Sequence, residues 1–296
     1  MKYMNLRLLN KYEEVTYDRL TRVCEERAKV FTKVRLADIF SINNSGISRD
    51  EFSYCLKAHF DFVIVDEDYQ PIFAVEYDGI QHKTEVRQVK NDLLKNNLCK
   101  KFELPILRAN FNYVSKKFKG LDLLTYFIEC WFLYEDFQVA QSQGVISCYE
   151  DFDPCSFITG GSNTGQKFPY WISLDSQLAI QQFYKLGKIR QQVPSDWVGI
   201  DEKGNYRCIT WLEVSEDEVI YLITGMQKQN FDCISISETI RMINIVDLHQ
   251  ALKECFDNNK KNVLLIGQFQ ILLGRFTSSF EPRGSTIAGR ITAKVL

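Results

Sequence analysis

FDFVIVDEDYQPIFAVEYDGIQHK, residues 60–83, is the stretch on which the reading of this chain turns. Two apolar runs, FDFVIVD (60–66) and IFAVEYD (72–78), flank EDYQP, a turn ending at Pro71. Such a pattern reads as two strands joined as a hairpin. The acids in it are the puzzle. Asp66, Glu67 and Asp68 belong to the turn and read as solvated. Asp61, Glu76 and Asp78 sit within or beside the strands, where a carboxylate is costly unless something pairs with it. Glu76 and Asp78 are two apart and share a strand face, and the hairpin brings Asp61 towards Glu76. Three converging carboxylates would raise one another's pKa values. A bound divalent cation removes that penalty, and hard oxygen ligands suit Mg²⁺ or Mn²⁺. On this reading, removing Asp61 or Glu76 leaves the metal-free protein folded and relieves a repulsion.

Outward from the hairpin, residues 12–28 read as an amphipathic helix, 31–40 as a strand or extended segment and 41–50 as a polar loop. Residues 85–102 read as a helix, apolar at Val86, Val89, Leu93 and Leu94, and 104–111 as a third strand. The order implies a small mixed α/β sheet with helices on its faces. Net charge is −2, but the charge is unevenly spread. Residues 79–119 carry ten Lys or Arg against three acids; residues 120–165 carry seven acids and no Lys or Arg. The sign change places a domain boundary near 120, giving a domain over 1–120 and another over 121–296. Lys83, Arg87, Lys90, Lys116 and Lys117 are candidates for neutralising nucleic-acid phosphates. Metal carboxylates beside such a helix point to phosphodiester hydrolysis.

Over about residues 12–112 the chain resembles domains of the PD-(D/E)XK nuclease superfamily similar to the very-short-patch repair endonucleases. The resemblance rests on Asp61-Phe62, then Glu76-Tyr77-Asp78-Gly79-Ile80-Gln81-His82, then Asp92-Leu93-Leu94-Lys95, then Leu104-Pro105-Ile106-Leu107-Arg108. It implies a restriction-endonuclease-like sheet core flanked by helices. It also implies Mg²⁺ or Mn²⁺ held by Asp61, Glu76 and Asp78, catalytic roles for these with His82 and Lys95, and supporting roles for Glu13, Gln81, Asp92 and Arg108. Members of the superfamily usually carry Lys two residues after the Glu. Here that position is Asp78, so Lys95, Lys83 or His82 takes the polar role. Lys95 shares a helix face with Asn91 and Asp92.

The second half names no chemistry. Residues 121–137 read as an aromatic helix, 173–192 as a helix capped at Ser173, and 197–214 as a hairpin. Residues 247–256 read as a helix capped by Asp247, 262–273 as a buried strand, and the tail as a solvated terminus able to touch nucleic acid. ITGGSNTGQKF (158–168) misses phosphate-loop spacing, with Phe168 where a hydroxyl is needed. Together these read as an α+β domain for recognition, regulation or assembly. The nine cysteines form no C-x-x-C pair, and His59, His82 and His249 supply no zinc cluster. Reduced thiols, no signal peptide and no run long enough to span a bilayer lead us to expect a cytoplasmic protein away from membranes.

The expected function is a metal-dependent endonuclease acting on DNA, with RNA as the alternative substrate, in restriction, repair or antiviral defence. A homodimer, or a helicase or ATPase partner, fits a chain with an accessory domain. The rival readings are a non-catalytic nucleic-acid-binding module that keeps the fold, and a regulatory subunit whose work lies in 120–296.

Overall fold

A computed structural model describes residues 7–79, 86–159, 167–257 and 260–291. They form a mixed α/β structure in two compact units, Met1–Phe152 with Gln229–Cys233, and Asp153–Lys228 with Ile234–Leu296.

In the first unit, α1 (Lys11–Cys24) leads to β1 (Lys29–Arg35), α2 (Leu36–Ile39), α3 (Arg49–Cys55), β2 (His59–Val65), β3 (Pro71–Tyr77), α4 (Val86–Lys101) and β4 (Ile106–Ala109). Then follow α5 (Phe111–Ser115), a small ladder of β5 (Lys117–Phe118) with β6 (Leu121–Asp122), and α6 (Leu123–Ser142). The main sheet has the order β1-β2-β3-β4: β1, β2 and β3 run antiparallel, and β4 returns parallel to β3 after the crossover through α4. α1 starts sharply because Asn10 accepts the backbone N–H groups of Tyr12 and Glu13 while Glu13 accepts that of Asn10, a capping box.

One layer of core joins Phe60, Val63, Val65, Ala74 and Ile106 of the sheet to Leu98 and Cys99 of α4. On the other face Phe73 meets Trp131 of α6 and Phe231, both at 5.3 Å between ring centres. The charge reversal near 120 suggests a boundary there, but the first unit continues to Phe152. α6 buries Leu124, Phe127, Ile128 and Trp131, so the start of the acidic stretch is core rather than linker. Gln229–Cys233 also belongs to this unit. The Gln229 side chain bonds both the N–H and the carbonyl of Arg108, and Asn230 accepts the N–H of Ile106, so this segment covers the outer edge of β4.

In the second unit, α7 (Leu174–Lys185) precedes β7 (Ser195–Ile200), β8 (Tyr206–Glu213), β9 (Glu218–Met226), α8 (Ile236–Phe256), β10 (Val263–Leu265), α9 (Ile266–Ser278) and β11 (Glu281–Thr286). The sheet order is β10-β9-β8-β7-β11, antiparallel throughout. Trp197, Ile209 and Trp211 pack on Phe269, Leu273 and Phe276 of α9. Leu212 and Ile220 pack with Leu248, Ala251 and Leu252 of α8. The strand alternation of β8 thus feeds both helix layers.

Three expectations fail here. The helix over 247–256 begins eleven residues earlier, capped by Ser235, and Asp247 lies within it. The apolar run 262–273 is a strand for three residues only and then turns into α9, whose Phe269, Leu273 and Phe276 recur at helical spacing. The tail is not a free terminus to its end: β11 pairs with β7.

Candidate active site

The main sheet of the first unit comes apart in the middle. β2 and β3 pair from Val65 back to Phe62 opposite Val75. Beyond that point β2 stays with β1 through Phe60 and His59, and β3 stays with β4 through Glu76 opposite Arg108 and Tyr77 opposite Ala109. Phe60 and Phe62 are two residues apart, yet Phe60 packs on Phe40 and Phe62 on Tyr17, in different layers. A regular strand would put both on one face, so the strand turns at Asp61.

Opening the ladder leaves backbone donors without strand partners, and the two acids take them. Glu76 Oε1 accepts the N–H of Asp61 at 3.3 Å, and Asp61 Oδ2 accepts the N–H of Tyr77 at 3.0 Å. Each carboxylate caps the other strand's loose end, so the fork fixes both acids at its apex.

Lysines supply the counter-charge. Lys95 of α4 donates to Glu76 Oε2 at 2.7 Å and to the carbonyl of His59 at 2.9 Å. Lys33 donates to Asp61 Oδ1 at 2.6 Å and to Glu13 Oε1 at 2.9 Å. Lys33 reaches both from a left-handed backbone, φ 53°, inside β1. That conformation costs a non-glycine residue about 1–3 kcal/mol. Burial works against the Lys33 charge, but bonds to Asp61 and Glu13 outweigh it and hold its pKa above the usual value. Glu76 is 7% exposed, and burial pushes its carboxyl above the usual range against the pull of Lys95.

Asp78 lies on the β4 side of the fork. Its N–H bonds Ala109, and its carboxylate takes Arg108 Nη1 at 3.2 Å. Arg108 is buried and also reaches Asp92 at 3.5 Å and Asn96 at 2.9 Å. The expected convergence of Asp61, Glu76 and Asp78 is therefore incomplete. The guanidinium draws Asp78 aside, and among the described residues no three Asp, Glu, His or Cys side chains gather as a metal-holding group.

Asp61 and Glu76 remain together at the apex. The contacts form three groups: Glu13 and Asp61 on Lys33, Glu76 on Lys95, and Asp78 with Asp92 on Arg108, the first and third each carrying one more carboxylate than cation. Mg²⁺ is commonly held by one or two carboxylates together with waters and substrate phosphates, and Asp61 and Glu76 supply two.

Of the other expected residues, Gln81, His82 and Lys83 lie outside the described residues, as does the Arg87 side chain. Lys90 is exposed, 3.8 Å from Asp50, and lines a cavity of about 530 Å³ with Ser53, Tyr54, Lys57 and Asn91. Lys116 and Lys117 are exposed just past α5. Lys33 is the residue that sequence reasoning misses, because nothing in FTKVR signals a left-handed turn inside a strand.

Residues 5–119 match a family described as a protein of unknown function, DUF2726. No curated protein matches the chain, and no solved structure does.

Proposed function

We propose that the first unit is a metal-dependent nuclease of the PD-(D/E)XK kind, hydrolysing phosphodiester bonds in DNA. The observation that carries the reading is the fork, where Asp61, Glu76 and Lys95 meet at the point where β2 leaves β3. The order helix, three antiparallel strands, crossover helix and parallel strand supports a restriction-endonuclease-like core.

Asp61 and Glu76 would hold the cation, which when bound supplies a water of lowered pKa and positive charge against a phosphate. The other tasks fall to the chain. Lys95 takes the place of the lysine missing at position 78. Its ammonium has three donors, and Glu76 and His59 take two of them. The third is left for a phosphate oxygen or a water. Arg108 holds Asp78 and the Asp92 face of α4 in register with β3. The basic residues of α4 and those after α5 bind the strand by its phosphates.

Cleavage of DNA and RNA pools by the full chain, with Mg²⁺ or Mn²⁺ against chelator, tests this. Asp61→Asn and Glu76→Gln should each lower cleavage by about 10³-fold or more, since each removes a charged ligand. Equal activity in wild type and Glu76→Gln would end the reading.

One observation favours a binding module instead. Lys33 and Lys95 already neutralise the apex acids, so the fork holds together without metal. In that case Mg²⁺ leaves the melting temperature unchanged, whereas a metal bound only by the folded state raises it.

A further inference from the structure

Next to the fork lies a group of aromatic side chains that the chemistry above does not use. Tyr77 stands between Glu76 and Asp78, and its N–H is the one that Asp61 holds. Its ring stacks on Tyr12 with centroids 5.9 Å apart and planes 5° from parallel. Phe111 closes on Tyr12 edge-to-face at 5.7 Å. The three come from three elements that end together. Tyr12 is in the first turn of α1, Tyr77 is the last residue of β3, and Phe111 opens α5 just after Ala109, the β4 partner of Tyr77.

These rings are not core. Tyr12 is 50% exposed and Phe111 45%. Exposed aromatic surface set beside a polar site marks an interaction surface. The neighbours narrow its chemistry. Glu13, next to Tyr12, belongs to the Lys33–Asp61 chain of contacts. Lys11 precedes Tyr12, and Lys116 and Lys117 follow α5, all three exposed. Exposed ring surface on Tyr12 and Phe111, with the exposed Lys11 next in sequence and the acids of the fork reached through Glu13, suits a ligand that alternates flat π-surfaces with phosphates. Paired bases in a duplex keep their faces stacked on one another; unpaired bases offer theirs.

We infer that Tyr12, Tyr77 and Phe111 form a stacking platform for an unpaired base of single-stranded DNA, holding the strand next to the fork. This rests on the nuclease reading for its choice of DNA and deepens it by naming the strand state. The bland alternative is that the trio merely anchors the start of α1.

Binding of the full chain to a fluorescent oligothymidylate and to a blunt duplex of equal length, in chelator and at one fixed salt concentration, separates the two. The oligothymidylate should bind more tightly than the duplex. Tyr12→Ala and Phe111→Ala should each weaken it roughly five- to 100-fold and leave duplex binding unchanged. Tyr12→Phe should bind as wild type. Tyr12→Leu keeps apolar bulk at the start of α1 but loses the ring, so it should bind like the alanine variant. Circular dichroism confirms that each variant is folded. Wild-type affinity in Tyr12→Leu, or a duplex bound as tightly as the single strand, would overturn the platform. Oligouridylate binding with equal affinity and the same dependence on Tyr12 would overturn the assignment to DNA. The cation keeps the two proposals apart, because cleavage requires Mg²⁺ or Mn²⁺ whereas the oligothymidylate affinity is read in chelator. If the wild type cleaves nothing yet shows this binding pattern, the platform stands and the nuclease reading falls.

Discussion

Both units bury acids against cations, but in different ways. In the second unit Asp196 of β7 accepts Arg241 Nε at 2.8 Å, and Glu213 of β8 accepts both the backbone N–H of Arg290 at 2.6 Å and its Nε at 2.7 Å. Both acids lie where the ladder is continuous, Asp196 opposite Thr210 between β7 and β8 and Glu213 opposite Val219 between β8 and β9. Arginine suits such sites: its charge is permanent, and its planar donors fix direction. In the first unit the apex acids sit where the ladder parts, and their partners are lysines, which are point charges on flexible stems. The side chain of Asp61 is 19% exposed and that of Lys33 36%. One arrangement adds charge to continuous strands, and the other places it where a ladder parts, with Glu76 and Lys95 nearly buried at 10% and 9% and Asp61 and Lys33 reaching solvent.

The largest test of this contrast concerns what holds the fork. A fragment of residues 1–120 contains every residue of the apex but lacks α6 and Gln229–Cys233. Phe73 would lose both Trp131 and Phe231, and β4 would lose the cover of Gln229 and Asn230. Each buried aromatic of this kind is worth about 3–5 kcal/mol, against a total stability of about 5–15 kcal/mol for a domain. The fragment should therefore show no cooperative thermal transition by circular dichroism. A sharp transition would mean that the sheet stands without α6 and that the boundary near 120 is real.

Next in size is the Glu76–Lys95 pair. Removing one member of a buried pair strands the other charge and costs about 3–5 kcal/mol. Glu76→Gln and Lys95→Met should each be destabilised by that order in urea titrations. This reverses the expectation drawn from the sequence, where repulsion among acids was the only visible force. The double variant should recover most of the loss, since neither charge is then left alone. Additive losses would show that Lys95 and Glu76 are not coupled. The same cycle on Glu213 and Arg290 should return a smaller coupling, because Arg290 is largely exposed.

The fold was legible where side chains repeat at the period of their element and hidden where they do not. The 60–78 hairpin, the 85–102 helix and the strand at 104–111 follow directly from apolar spacing. The first half of the 236–256 helix was hidden because the helix buries residues around much of its circumference, Ile240 and Ile243 but also Met242 and Leu252, which blurs the helical period. At the site, the acids announce themselves as charges in apolar strands, and Lys95 through its shared face with Asp92. The role of Arg108 in drawing Asp78 aside depends on the parallel register of β3 and β4. The part played by Gln229 depends on a contact between residues more than 120 positions apart. Neither leaves a local trace.

Lys33 offers a smaller effect with an opposite sign. Glycine adopts φ 53° freely, so Lys33→Gly should relieve strain of about 1–3 kcal/mol. It would forfeit two partly exposed ion pairs, to Asp61 and to Glu13, each worth at most about 1 kcal/mol. The variant should melt at or slightly above wild type yet cleave less, because Asp61 loses its orienting ammonium. If it is both less stable and fully active, the bond to Asp61 is structural and the apex does not depend on it.

The smallest effect belongs to the second unit and shows how differently it should answer to acid. His249 on α8 meets Ser176 of α7 through Nδ1 at 3.2 Å, and its ring packs against Phe183 at 6.0 Å. Burial, helped by Lys253, lowers its pKa below the ordinary 6.5. A base whose pKa is depressed on folding takes up more protons unfolded than folded between the two values. The stability it contributes is therefore complete above about 6.5 and is lost as the pH falls through the depressed value. Because the ring is only half-buried, solvent screens the effect, and the loss should be a modest part of the unit's stability. His249→Gln keeps a side chain able to bond Ser176 but cannot titrate in this range. Melting temperature against pH should fall less steeply below about 6.5 in the variant than in wild type. Parallel curves would show that the imidazole protonates as easily in the folded chain as in the unfolded one, and the acid response of this unit would then have to come from its carboxylates.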